Sequence, residues 1–242
     1  MKISFQDLSF SYQNRLGISR RVISGLTLDI TWDGNKAIAG MLLPYGGGKS
    51  SLLRIAAGLL TPDSGSCVVT GDNGKPVKVV YIPPVPCSLS WLSFDEQVRL
   101  VLPDLRDQSK IKQGAEICGL EGYETHLPSE KSASFRLRVQ IALALLSGAG
   151  VILLDDPFTM LPAESKDHLF RDLRELTSRT GAALFFATSG LGDAAQLTDT
   201  LYIFSSLAGS QYEVIDSSSW SRDSLRKEKQ ELLISLPSNI RY

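Results

Sequence analysis

Hydrophobic positions along this chain repeat with two different periods. Residues 3–10 and 22–30 alternate apolar and polar side chains, with Val22, Leu26, Leu28 and Ile30 on one face of the second run. A period of two is what a half-buried strand requires, so both runs predict strands of an antiparallel sheet. Residues 36–43, KAIAGMLL, instead form a nearly continuous apolar run that stops at Pro44 and three glycines. The following SLLRIAAGLL spaces its apolar residues as a helix does. The order predicted is buried strand, glycine loop, helix.

Two further apolar runs, VILLDDP at 151–157 and AALFFATS at 182–189, end in acidic or small residues and are each followed by a segment of helical spacing. Such runs suit the centre of a parallel sheet covered by helices on both faces. Between the two halves stand Pro83, Pro84 and Pro86, then FDEQVRLVL and KIKQGAEICGL, which predict helices of a separate subdomain. No internal repeat or low-complexity tract is visible.

Composition narrows the class without changing this outline. The 242 residues are 43% hydrophobic, enough for a substantial core, and 25 basic against 26 acidic residues give a net charge of -1. That balance carries no basic footprint for nucleic acid, so no nucleic-acid partner is expected. Cys67, Cys87 and Cys118 are odd in number and widely spaced, which suggests neither a disulfide framework nor a zinc site and predicts three small buried hydrophobes. The opening MKISFQDLSFSYQ has no continuous apolar segment and nothing later approaches the length of a membrane span, so a soluble cytoplasmic chain is expected.

The chemistry is concentrated in LLPYGGGKSS, residues 42–51. The spacing matches a phosphate-binding loop, Gly-x-x-x-x-Gly-Lys-Ser/Thr, except that Leu43 stands at the first glycine. Gly46, Gly47 and Gly48 can curve backbone N–H groups around phosphate oxygens, Lys49 can reach the outer phosphates, and the Ser50 hydroxyl can ligate magnesium, with Ser51 beside it. The same residues also suit a surface turn before a helix. Asp155 and Asp156 end the buried run VILLDD, where unpaired carboxylates are costly unless a cation or hydrogen bonds compensate them. Asp155 can hold magnesium through water, although paired acids at a strand end also serve as helix caps.

From residue 1 to about 205 the chain resembles the ATP-binding subunits of ABC transporters. RIAAGLLTPDSGSCVVTG is similar to the segment after their phosphate loop, PSEKSASFRLRVQIALALL fills the place of their signature segment, and LLDDPFTMLP matches their magnesium strand and D-loop. The resemblance implies an α/β fold with a P-loop NTPase core of mainly parallel sheet flanked by helices. It implies one domain over residues 1–242, divided approximately into an antiparallel β subdomain (1–35), the core (36–83 and 136–205), a helical signature subdomain (84–135) and a tail (206–242). ATP and Mg²⁺ are the implied cofactors, and Tyr12 falls where an aromatic ring stacks on adenine, half-buried packing on its strand being the other reading.

The same resemblance exposes departures. Asp156 replaces the glutamate that polarises the attacking water, Ser189 the switch histidine, Pro84 the glutamine that couples to the permease, and Pro162 the D-loop aspartate. Lys131, Ser132, Ala133, Ser134 and Phe135 replace Leu-Ser-Gly-Gly-Gln, and Tyr45 is bulky for its loop position. His126 and His168 do not fall at the switch position and are expected at the surface. The expectation is a nucleotide-binding subunit with weak or lost hydrolysis, in which Asp156 is at most a poor base. Partners implied are transmembrane permease subunits and a second ATPase subunit, identical or intact, on the cytoplasmic face of the membrane. CSLSWLSFDEQVRLVL is similar to a stretch of the nitrate, sulfonate and taurine importer ATPases. An active but diverged ATPase and a subunit that binds no nucleotide stay open as alternatives.

Overall fold

The computed structural model describes residues 1–15, 17–34, 36–85, 87–208 and 212–216; Pro86 and residues 217–242 of the tail lie outside them. The period-two runs form β1 (Lys2–Gln13) and β2 (Ser19–Thr31), and with β4 (Ser64–Thr70) they make an antiparallel sheet of order β2-β1-β4. Leu26, Leu28 and Ile30 are buried as the alternation predicts, but Val22 is not their fully buried neighbour. The pairing shifts register between Leu8 and Phe10, which sets Ile23 opposite Phe10. A slip of one residue exchanges the faces of a strand, so Ile23 enters the core and Val22 turns half-buried toward the glycine loop.

The continuous apolar runs are the centre of a second, six-stranded sheet. Its members are β3 (Ile38–Leu42), β5 (Val79–Ile82), β6 (Val151–Asp155), β7 (Ala183–Thr188), β8 (Thr200–Phe204) and β9 (Tyr212–Asp216), in the order β5-β6-β7-β3-β8-β9. Only β9 runs antiparallel to its neighbour. The central strands are buried on both faces, which explains why they lack alternation. Val151, Leu153, Phe185 and Met41 face the antiparallel sheet and α1 (Lys49–Ala56), while Ile152, Leu154, Leu184 and Phe186 face the remaining helices.

Those helices are α2 (Phe94–Val101), α3 (Gln108–Ile117), α4 (Ala133–Leu146) and α5 (Ala163–Thr180), with the short α6 (Leu191–Leu197) beside β3. α2 and α3 pack on α4, which runs unbroken across residue 135. Buried Asp199 fixes the start of β3: its Oδ2 accepts the Ala37 and Ile38 N–H groups at 2.9 Å each, and its Oδ1 accepts from Arg174 Nη1 at 3.1 Å. A strand anchored at one end delivers the loop at its other end to a defined place. Among the described residues no helix is long and apolar enough to cross a membrane.

Cys118 is buried and Cys67 half-buried, but Cys87 is exposed, against the expectation for all three. Cys87 stands on an irregular connection between β5 and α2, where Gln140 Nε2 reaches its sulfur at 2.6 Å.

Candidate functional site: a phosphate-type loop and its carboxylates

Leu43 continues β3 rather than breaking it. Its N–H donates to Thr188 O at 3.1 Å, and its side chain is fully buried in the core. Among the described residues only Asp7 and Asp156 combine a side chain with positive φ, so Leu43 occupies an ordinary backbone conformation and its side chain strains nothing. It packs against the underside of the loop, where a Cβ on Gly47 would lie 2.9 Å from Leu43 Cδ2. The left-handed positions are Gly46 (φ 76) and Gly48 (φ 102), the second being the N-cap of α1.

α1 has no acidic residue in its first turn, so its positive end is left for an anion. Lys49 is 6% exposed, and its ammonium donates to the carbonyls of Leu43 and Pro44 at 3.3 Å each, both long contacts. The Tyr45 ring lies 5.5 Å from the same ammonium while itself almost fully exposed. Burial pushes the Lys49 pKa below its usual value, opposed by the charges of Asp156 and Asp155. A desolvated cation with long carbonyl contacts is better matched by phosphate oxygens.

Around this loop lies a pocket of about 330 Å³, lined by Tyr12, Arg20, Val22, Tyr45, Gly46, Gly48, Lys49, Ser50, Ser51, Pro84, Asp155 and Asp156. Residues separated by up to 144 positions in sequence, from Tyr12 to Asp156, are thus brought together, and most of the candidates named from the loop and the acidic strand end are among them. Gly47 lies behind, its N–H donating to Pro44 O at 3.1 Å to close the turn. Tyr12 stands at the rim, 43% exposed. Its hydroxyl shares a hydrogen bond of 3.1 Å with Ser51 Oγ, and its ring lies nearly perpendicular to that of Phe10 with centres 4.9 Å apart. The ring is therefore held at both ends with one side left open.

The two carboxylates at the end of β6 have different environments. Asp155 is 1% exposed, and its Oδ2 accepts from the Tyr81 hydroxyl at 2.7 Å. Arg54 Nε donates in turn to that phenol at 3.3 Å, with its guanidinium 5.7 Å from the ring centre. Burial, aided by the Asp155 bond, pushes the Tyr81 pKa up to about 12, so the phenol stays a donor. Tyr81 and Arg54 escape sequence reasoning because nothing in their spacing relates them to residue 155. Asp156 turns back toward β7: Oδ1 accepts from Thr159 Oγ1 at 2.7 Å and from Thr188 Oγ1 at 3.2 Å, and Oδ2 accepts from Ser189 Oγ at 3.4 Å. Ser189 thus joins the site through Asp156.

The residues present fit a magnesium nucleotide. Two positive-φ glycines and a Gly48 site that a Cβ would overfill, 2.8 Å from Val22 Cγ1, make a backbone cradle of phosphate type. Among the described residues no three His, Cys, Asp or Glu side chains cluster as a metal cage. Mg²⁺ is commonly held by one or two protein oxygens together with substrate phosphates; Ser50 and Asp155, both lining this pocket, are the residues that would supply such oxygens.

Comparison with known proteins agrees with this geometry. The ABC transporter family model matches residues 6–159. The chain belongs to the ABC transporter family. An aliphatic sulfonates import ATP-binding protein, SsuB, of Bacillus thuringiensis subsp. konkukian is 33% identical over 194 residues, 78% of this chain and 77% of that one. A formylaminopyrimidine import ATP-binding protein, ThiZ, of Halalkalibacterium halodurans is 28% identical over 253 residues, 96% of each. Among solved structures, the dimeric ATP-binding cassette MJ0796 in a post-hydrolysis state bound to ADP and Pi superposes with a TM-score of 0.69 at 18% identity, covering 87% of this chain and 97% of that one. The fold is therefore that of the ABC ATPase cassette.

Within this ABC cassette none of residues 131–135, expected from the resemblance at the signature position, lines the pocket. Ser132 caps α4, its side chain accepting the Phe135 N–H at 3.3 Å. Lys131 places its ammonium 5.1 Å from the Tyr123 ring centre, and Phe135 meets the same ring at 6.2 Å. Ala133 and Ser134 form the first turn of α4. Pro162 is exposed and precedes α5 without a side-chain cap. His168 is exposed as expected; His126 is not, being half-buried 5.1 Å from the Tyr123 ring because the turn after α3 folds its ring inward.

Proposed function

We propose that this chain is the nucleotide-binding subunit of an ABC importer, and that it holds Mg-ATP while hydrolysing it weakly or not at all. The observation that carries the reading is a contrast within one pocket. Its loop keeps glycines at the left-handed positions 46 and 48, whereas its second carboxylate is short and bound to side-chain hydroxyls. Gly46 to Gly48 and the start of α1 orient the phosphates through backbone N–H groups, Lys49 neutralises the outer ones, and Ser50 and Asp155 hold the metal. Tyr81, backed by Arg54, keeps the Asp155 carboxylate oriented by donating to its Oδ2. Tyr12 and Ser51 form the base side of the pocket. ATP, when bound, supplies the binding free energy that favours a closed pair of subunits.

The import assignment is supported by the relatives named as import ATP-binding proteins and by the 87–102 segment. In the proposed assembly the chain sits on the cytoplasmic face of the membrane against transmembrane permease subunits, with a second ATPase subunit completing each nucleotide site. Because Lys131 to Phe135 lie outside the chain's own pocket, they belong on this reading to the partner's site. A second, intact subunit would provide at least one productive site; a homodimer would contain two weak ones. A second reading, an active diverged ATPase, is favoured by one fact: Asp156 lines the pocket and could serve as base.

Thermal unfolding tests the binding of nucleotide, and phosphate release separates the two readings. At a hundredfold excess over its Kd, Mg-ATP stabilises by about 2.7 kcal/mol, a rise of roughly 5–10 °C for a chain of this size. Wild type should show that rise and Lys49→Ala should lose most of it; equal, null responses would defeat nucleotide binding. Steady-state phosphate release that is fast in wild type and disappears in Asp156→Asn would favour the active ATPase instead.

A further inference from the structure

Three hydroxyls converge on the Asp156 carboxylate from two different stretches of chain. Thr159 belongs to the turn at 157–160 that follows β6, and Thr188 and Ser189 belong to the end of β7. In each bond the hydroxyl donates and a carboxylate oxygen accepts. Thr188 Oγ1 already accepts the Gly190 N–H at 3.0 Å, so its own proton points to Asp156. The Asp156 N–H donates to Ala187 O at 2.8 Å. Backbone and side chain of one residue therefore tie the same two strand ends.

The backbone of Asp156 is itself unusual, with φ at 45°. That left-handed conformation is tolerated by aspartate and asparagine better than by longer side chains. It persists where surrounding contacts over-determine it, and the hydroxyl bonds together with the bond to Ala187 O supply those contacts.

We propose that Asp156 is a positioning residue, a clasp that joins the 157–160 turn to the end of β7 and commits its carboxylate to hydroxyls in place of a water. The proposal rests on the reading of the pocket as a nucleotide holder with weak hydrolysis, and gives that weakness a second cause beside chain length. A general base needs a lone pair aimed at the reacting water. Of roughly four lone-pair directions on a carboxylate, Thr159, Thr188 and Ser189 take three. Thr159, at 2.7 Å, is the principal partner, and Ser189, at 3.4 Å, is the one that yields most readily. Lengthening the side chain alone then leaves turnover low, whereas removing hydroxyls raises it.

Two measurements test this. In nucleotide-free protein, Thr159→Val should lower the thermal midpoint of wild type but not of Asp156→Gly, while Thr159→Ser, which keeps the hydroxyl, should match wild type. In single-turnover phosphate release from Mg-ATP, Thr159→Val with Ser189→Ala should exceed wild type by about 10- to 100-fold, at or below the lower edge of what a positioned base supplies. The gain should vanish when Asp156→Asn is added, and Asp156→Glu alone should show none. Equal midpoint losses from Thr159→Val in both backgrounds, or release no faster than wild type in the double variant, would overturn the clasp. A wild type that fails to bind Mg-ATP would sink the proposed function, and the midpoint comparison would then decide the clasp by itself.

Discussion

Gly48 carries two constraints at once. Its φ of 102° is strained for any side chain, and a Cβ there would sit 2.8 Å from Val22 Cγ1 and 3.2 Å from Leu207 Cδ1. Valine is stiff about its first torsion and cannot swing aside easily. Gly48→Ala should therefore cost about 2–5 kcal/mol, from left-handed strain plus overpacking, measured as a lower urea midpoint without added nucleotide. The cysteines offer a second residue-level test. Burial pushes the Cys118 and Cys67 thiols up to about 12, whereas Cys87 is exposed. One thiol should react quickly with a disulfide reagent near pH 8 and two only on unfolding; the Cys87→Ser protein should lose the fast phase. The loop residues, Asp155 and Asp156 were legible because their chemistry depends on local spacing. Tyr81, Arg54, Thr159 and Thr188 were not, because their roles arise from contacts made only when β5, β6 and β7 lie side by side.

The elements most easily read from the pattern were those with one strong period. β1, β2, β3, β6 and β7 follow directly from alternation or from continuous apolar runs, and α1 to α3 from helical spacing. β5 has four half-buried or buried residues and β9 is an exposed edge, so neither leaves a clear trace in hydrophobicity. The Val22–Ile23 exchange was hidden for a different reason, since a register shift is set by the partner strand and not by the strand's own sequence. α2 begins with a complete capping box: Ser93 accepts the Glu96 N–H at 3.3 Å and Glu96 accepts the Ser93 N–H at 2.8 Å. Ser93→Ala should cost about 1 kcal/mol, visible as a lower urea midpoint, because Phe94 and Val98 anchor this helix in the core.

For the whole molecule, the buried acids make stability fall in alkali. Tyr81 is raised from 10.0 to about 12, and Cys67 and Cys118 from 9.0 to about 12, chiefly by burial. The folded state keeps protons that the unfolded chain releases, so these contributions are complete below pH about 9 and are lost between about 9 and 12. Lys49, lowered by burial, acts in the opposite sense just below its usual value and offsets part of the loss. Urea midpoints should decline from pH 9 to 11, and Tyr81→Phe should flatten the decline. The expectation of a partner subunit comes from the resemblance at residues 131–135, whereas which surface would meet a partner has no local code in the sequence.

Leu207 follows β8, is fully buried, and accepts the Ser24 N–H through its carbonyl at 3.0 Å while its side chain backs Gly48. A polypeptide cut short just before it would retain every pocket-lining residue and still lack the wall against which the glycine turn is moulded. Deletion mapping of the nucleotide site would then place its boundary well beyond the last residue that faces it.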